Sequence, residues 1–227
     1  MKNLWNKFDA DQYQDDLLAL RVYSSRLVGQ EPNLVLHGGG NTSVKAPFTD
    51  IFGEIHDAIY IKGSGWNLDT IEATGFAPVK LDSLIKLSRL KSLSDSDMVV
   101  AQRAAMLDQR APNPSVEAIL HAIIPFSFVD HTHADAVVTL SNTPNGEEIL
   151  RSIYGDKVLI VPYVMPGFAL AKKVSNLTRT TDWSKLHGII LMKHGIFSFS
   201  NDAKESYERM IDLVSDAELV LKERPNL

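Results

Sequence analysis

Apolar positions along this 227-residue chain fall into short runs of two different periods, and their alternation predicts interleaved helices and strands. The stretch from about Asp11 to Val28 carries Leu17, Leu20, Val22 and Leu27 among its apolar residues and reads as an amphipathic helix, with Gly29 a suitable C-terminal stop. Leu34 to His37 reads as a short strand running into Gly38-Gly39-Gly40, and Ala58 to Ile61 as a strand running into Lys62-Gly63-Ser64-Gly65. Asp82 is placed to cap a helix bearing Leu84, Ile85 and Leu87, and Ser94 or Asp95 to cap one reaching about Leu107; both helices serve core packing.

Pro112-Asn113-Pro114-Ser115 then breaks the chain, and Ser115 can cap a helix with Glu117 in its first turn. Phe126 to Val129 is an apolar, aromatic run expected as a buried strand that ends in His131-Thr132-His133. Ala134 to Leu140 fits either a helix or a further apolar layer. Asn145-Gly146 marks a turn, Glu147 to Tyr154 a short helix, Val158 to Val161 a strand ended by Pro162, and Phe168 to Val174 the start of another helix. Ile189 to Met192 and Ile196 to Phe199 read as a hairpin around His194-Gly195, and Ala203 to Lys222 as a final helix. Several strands are joined by short turns, so the expected fold is a three-layer α/β/α arrangement with a central mixed, largely antiparallel sheet, in one domain over residues 1–227.

Composition narrows the function classes. Hydrophobic residues make up 44%, enough for a substantial core, and the net charge is −5 with no Lys/Arg block to track a phosphate backbone, so nucleic acid is not an expected partner. No apolar run approaches the roughly 18 residues of a membrane helix, and MKNLWNKFDADQYQDD has no apolar leader core; the expectation is a cytoplasmic protein without a membrane partner. There is no cysteine, so any metal must use nitrogen and oxygen ligands.

The candidate chemistry centres on histidine. Strand residues two apart share a face, so His131 and His133 can close on one ion, and His194 ends another strand-like run. Three neutral imidazoles leave a position open on a zinc-like cation, as catalytic zinc sites do. The plain alternative is a pair of histidines ending a strand in backbone hydrogen bonds; the third, His194-Gly195, favours the metal.

Gly38-Gly39-Gly40-Asn41-Thr42-Ser43 can turn free N–H groups toward an anion, against the alternative of an ordinary hairpin; it has neither Walker spacing nor a dinucleotide fingerprint. Ser64 and Gly65 can donate to phosphate oxygens with Lys62 adding charge, again against an ordinary turn. Glu117 beside a helix N-terminus is favoured as a carboxylate, either as a catalytic group or as a solvated partner of the helix dipole; His121, one turn on, reads as a packing or supporting residue.

In order and chemistry, Gly39-Gly40-Asn41-Thr42-Ser43-Val44, Lys62-Gly63-Ser64-Gly65, Pro114-Ser115-Val116-Glu117, His131-Thr132-His133 and His194-Gly195 resemble the class II aldolase/adducin family, across nearly the whole chain. Leu36 to Ser43, Val129 to His133, and Val161-Pro162-Tyr163 through Pro166-Gly167-Phe168-Ala169-Leu170-Ala171-Lys172 resemble in particular the aldolase domain of bifunctional rhamnulose-1-phosphate aldolase/short-chain dehydrogenase proteins.

The resemblance implies a divalent metal, most often Zn2+, on His131, His133 and His194, Glu117 as the acid/base, and Asn41, Thr42, Ser64, Gly65 and Ser115 as phosphate ligands. The implied activity is metal-dependent cleavage of a ketose 1-phosphate, rhamnulose-1-phosphate-like, to dihydroxyacetone phosphate and an aldehyde through a metal-stabilised enediolate. It further implies a homotetramer with sites at subunit boundaries, a short-chain dehydrogenase domain or partner, and an assisting tyrosine from a neighbouring subunit, for which Tyr154, Tyr163 and Tyr207 are candidates. An epimerase or dehydratase of the family would use the same parts, and a non-catalytic domain like the adducin head would keep the fold alone.

The chain departs from the family pattern at Val116, where a second serine is common, at Lys45, where an arginine is common, and in the fourteen positions separating Glu117 from His131. Arg224-Pro225-Asn226-Leu227 reads either as a natural terminus or as the edge of a linker.

Overall fold

The structure, a computed structural model, describes residues 1–223; residues 224–227, where the terminus-or-linker expectation falls, lie outside the described residues. Among the described residues, seven strands form one sheet in the order β3-β2-β1-β4-β7-β6-β5: β1 Asn41–Thr49, β2 Ile55–Lys62, β3 Phe76–Lys80, β4 Phe128–Thr132, β5 Val158–Val161, β6 Gly188–Leu191 and β7 Gly195–Ser200. Only β5 and β6 run parallel; the other neighbours are antiparallel, as short connections require.

The helices are α1 Lys7–Ala10, α2 Leu17–Gly29, α3 Leu81–Arg89, α4 Asp95–Ala104, α5 Ala118–Ile123, α6 Asp135–Ser141, α7 Gly146–Tyr154, α8 Phe168–Leu177 and α9 Ala203–Glu223. Strand alternation sorts the core onto the two sheet faces. Ile160, Ile190 and Ile196 pack with Val28, Val137, Leu150 and Val214 of α2, α6, α7 and α9. Val129, Ile189, Leu191, Phe197 and Phe199 pack with Leu84, Met98, Ile119 and Leu170 of α3, α4, α5 and α8. The result is a mixed α/β fold of three layers. Among the described residues no helix is long and apolar enough to cross a membrane.

Several elements differ from the sequence reading for local reasons. α2 starts at Leu17 rather than Asp11, because the Asp16 carboxylate accepts from the N–H groups of Leu18 and Ala19 and caps the helix there; Asp11–Tyr13 is a separate 3-10 turn. Leu34 to His37 is no strand. Leu34 and Val35 are both buried in the core, and the Leu34 N–H closes a turn on the Glu31 carbonyl. The glycine stretch therefore leads into β1, whose first residues are Asn41, Thr42 and Ser43.

Other boundaries shift for similar reasons. α4 stops at Ala104, and the Leu107 N–H donates to the Pro78 carbonyl of β3. Asp82 does not cap α3 but lies in its first turn, bound to Lys86. Gly146 opens α7 rather than sitting in a turn, and Ala134 to Leu140, whose apolar pattern fits helix or layer alike, is covered largely by α6.

Candidate metal centre

β4 carries the first ligand. Its register places His131 opposite Asn41 of β1 and Phe197 of β7, and the His131 ring stacks on Phe197 with centroids 4.2 Å apart. The His131 Nδ1 lies 3.1 Å from the Ile196 carbonyl oxygen, which only accepts, so the proton sits on Nδ1 and the lone pair on Nε2 faces the site. His133, just beyond the strand end on the same face, brings its Nε2 to 3.1 Å from that of His131.

His194 arrives from the turn between β6 and β7, where Leu191 pairs with Gly195 and Lys193 adopts a left-handed conformation (φ 61°). The Ser141 hydroxyl at the end of α6 accepts from the Lys193 N–H at 3.0 Å and holds the turn. A Cβ at Gly195 would lie 3.1 Å from carbons of both the His131 and His133 rings, so glycine lets β7 pass beside them.

One nitrogen from each histidine lies within 4.8 Å of the others, a set that could hold a metal ion. Tetrahedral zinc with Zn–N bonds of 2.0–2.1 Å holds its nitrogens roughly 3.3 Å apart, near the observed His131–His133 spacing. Burial and the neighbouring His133 hold the His131 pKa well below the imidazole range, and burial above all lowers His194 to about 4, with His131 adding to the shift and Glu117 opposing it. Both are thus neutral at pH 7, the form that binds metal.

Glu117 occupies the N-cap position of α5, with its backbone N–H donating to the Ser115 hydroxyl at 3.2 Å. Its Oε2 lies 3.3 Å from His131 Nε2 and its Oε1 3.4 Å from His194 Nε2. Oε1 and His194 Nδ1 are buried without a hydrogen-bond partner. A buried, half-satisfied carboxylate against neutral imidazoles is costly, and a divalent cation at this point would supply its missing counter-charge.

A cavity of about 400 Å³ opens over this cluster, lined by Asn41, Ser64, Gly65, Ser115, Glu117, His133 and His194, with Gly38, Gly39 and Pro166 at its walls. Thr42 does not join them. As the next residue on β1 it points to the opposite face, fully buried, with its hydroxyl 2.8 Å from that of Ser25. Asn41 lines the cavity, yet its amide is engaged, donating to Glu117 Oε2 at 2.7 Å. Val116 is 48% exposed beside the cavity.

The sequence suggests for Lys62 no more than nearby charge. Here it is buried in the cavity wall, with its ammonium 3.1 Å from the Gly38 carbonyl and its pKa lowered by burial. Lys45 plays a different part: its Nζ donates to the carbonyls of His121, Ile124 and Phe126 at 3.0, 2.7 and 2.6 Å, closing the C-terminal end of the helix that Glu117 starts. Of the candidate tyrosines, Tyr154 donates to the Leu213 carbonyl and Tyr207 accepts from the Leu4 N–H, both buried; Tyr163 is 51% exposed.

Comparison with known proteins adds to this geometry. The family model described as Class II Aldolase and Adducin N-terminal domain matches residues 20–221. The N-terminal class II aldolase domain of a conserved protein from Thermoplasma acidophilum is similar in structure, with a TM-score of 0.88 and 39% identity, covering 97% of this chain and 99% of that one. A Bacillus subtilis protein named uncharacterized oxidoreductase YuxG is 34% identical over 226 residues, all of this chain but only 32% of that protein. The chain thus spans about a third of the length of that relative. A Mycoplasma pneumoniae protein named probable L-ribulose-5-phosphate 4-epimerase UlaF is 24% identical over 219 residues, 93% of this chain and 84% of that one.

Proposed function

The chain belongs to the class II aldolase and adducin N-terminal domain family, and from that footing we propose that it is a metal-dependent aldolase acting on a ketose 1-phosphate such as rhamnulose 1-phosphate, with dihydroxyacetone phosphate and an aldehyde as products. The observation that carries this reading is the unpaired, buried Glu117 Oε1, 3.4 Å from His194 Nε2 at the cavity floor, with the Lys62 ammonium in the cavity wall.

His131, His133 and His194 would hold a divalent cation, Zn2+ by family likeness, and when bound it supplies Lewis acidity toward the substrate's carbonyl and hydroxyl oxygens. The chain's own residues do the rest. Lys62, the Ser64 and Ser115 hydroxyls and the Gly65 backbone orient the phosphate and with it the reacting carbon. In cleavage the hydroxyl that becomes the aldehyde carbonyl gives up its proton to solvent as the carbon–carbon bond parts, and Glu117, in its protonated form, delivers a proton to the carbon next to the ketose carbonyl and is left as the carboxylate; in the synthetic direction the carboxylate takes that proton back.

The remaining features of the reading follow from family likeness: one catalytic domain, homotetrameric assembly and a cytoplasmic setting in carbohydrate metabolism. A short-chain dehydrogenase partner fits the oxidoreductase name of the longer Bacillus relative. A sugar-phosphate epimerase is the second reading, favoured by the name of the Mycoplasma relative. A non-catalytic, adducin-like role would leave the convergence of three histidines and Glu117 without a purpose.

Incubating the zinc-loaded protein with L-rhamnulose 1-phosphate and assaying dihydroxyacetone phosphate by reduction tests the proposal. Release of the triose phosphate supports it. An epimerised ketose phosphate instead moves the assignment to the second reading, and an unchanged substrate with metal bound counts against this substrate.

A further inference from the structure

A buried line of hydrogen bonds runs to the Glu117 carboxylate from residues with no part in metal binding. Ser43 Oγ lies 2.8 Å from His121 Nδ1, His121 Nε2 meets Asn41 Oδ1, and Asn41 Nδ2 lies 2.7 Å from Glu117 Oε2. Local geometry makes the line possible: Asn41 and Ser43, two apart on β1, share a face, and Glu117 and His121 are one helical turn apart.

The last member sets the direction of every bond. Asn41 donates from Nδ2 to Glu117 Oε2, which leaves its carbonyl oxygen turned to His121. That oxygen only accepts, so His121 carries its proton on Nε2. Burial first, and then His131, Lys45 and Arg21, hold the His121 pKa well below the imidazole range, so the ring is neutral and its Nδ1 takes the Ser43 hydroxyl proton. Three donors in series point at Oε2, and none of the described residues hydrogen-bonds Oε1, whose nearest imidazole nitrogen is His194 Nε2 at 3.4 Å.

We propose that His121 and Ser43 are positioning residues that lock the Asn41 amide, and through it the Glu117 carboxylate, so that Oε2 is held by the line and Oε1 is the oxygen that carries the substrate proton. Asn41 thereby changes role, from phosphate ligand to holder of the carboxylate. The inference rests on the acid/base role of Glu117. In exchange at dihydroxyacetone phosphate the C–H bond breaks, its electron pair moves into the carbonyl system, the proton lands on Oε1, and the reverse step restores it.

The test joins a tautomer measurement to kinetics. In zinc-loaded protein carrying 15N-labelled histidine, His121 should show the neutral Nε2–H form, and Asn41→Ala, which removes the acceptor of that proton and leaves Ser43 Oγ to accept from Nδ1–H, should let the Nδ1–H form appear. Proton exchange at dihydroxyacetone phosphate should lose about tenfold or more in kcat in His121→Ala, with KM within about twofold and metal content unchanged, and His121→Gln should recover part of the loss. Ser43→Ala, a smaller change, should lower kcat in the same sense. An Nδ1–H tautomer in the wild type, or an unchanged kcat in both His121→Ala and Ser43→Ala, would overturn the lock. A wild type that binds metal but exchanges nothing removes the acid/base role and the proposal's catalytic half with it, and the tautomer then decides the lock by itself.

Discussion

Arg21 and Asp130 form a wholly buried ion pair, Nη2 to Oδ1 at 2.6 Å, one residue before His131 and on the opposite face of the strand. The second Asp130 oxygen accepts from the Ser206 hydroxyl, so the pair ties α2, β4 and α9 beneath the histidine cluster. Removing one partner leaves the other charge buried and unpaired, at a cost of about 3–5 kcal/mol. Asp130→Ala should lose stability by that order in urea unfolding; a loss no larger than that of a surface substitution contradicts the account.

Lys62 and Thr42 separate cavity chemistry from strand packing. A charge-assisted hydrogen bond contributes about 1.5–3 kcal/mol, so Lys62→Met should raise KM for a phosphorylated substrate roughly tenfold to a hundredfold. Thr42→Val, with its hydroxyl turned to Ser25, should leave that KM unchanged while lowering stability slightly. Steady-state kinetics on the two variants read both outcomes, and the reverse pattern would return Thr42 to the phosphate site.

Metal content is the readout for His133. Its side chain is exposed and carries no core packing, so His133→Ala should fold as the wild type does by circular dichroism and fail to retain added zinc. Stoichiometric zinc in that variant would remove His133 from the ligand set.

The metal-free protein should weaken as pH falls. Burial lowers the pKa of His121, His131 and His194 in the fold, the last to about 4 from an ordinary 6.5. Between those values the unfolded chain binds more protons than the folded one, so stability is complete above about 6.5 and is lost progressively toward about 4. Urea midpoints measured across that window should drop; a flat profile contradicts neutral, buried imidazoles.

What the sequence made legible is what depends on local periodicity. The strand Val158–Val161 and the hairpin around His194 follow from short apolar runs, and the shared face of His131 and His133 from period-two alternation. A helix starting near Glu117 is readable from the Pro-Asn-Pro-Ser break, but the expected Ser115 cap is not formed: α5 begins at Ala118 and Glu117, expected in the first turn, is its N-cap residue. The direction of Thr42 is not readable, because it depends on where β1 begins, and that is set by pairing with β4 nearly ninety positions on in sequence. The acceptors of Lys45 and the Asn41–His121 contact are likewise long-range, joining residues about eighty positions apart. The Leu34–Val35 run misled because both residues pack inward from a turn, which alternation does not describe.

The central claim is that the three histidines and Glu117 act together on the carbon acid next to a ketose carbonyl. Deuterium exchange at dihydroxyacetone phosphate tests it most directly, because exchange needs no aldehyde partner. The account predicts exchange by the zinc-loaded protein, none after chelation, and a loss of most exchange in Glu117→Gln with zinc still bound. Exchange that survives chelation, or that Glu117→Gln leaves at the wild-type rate, would contradict it.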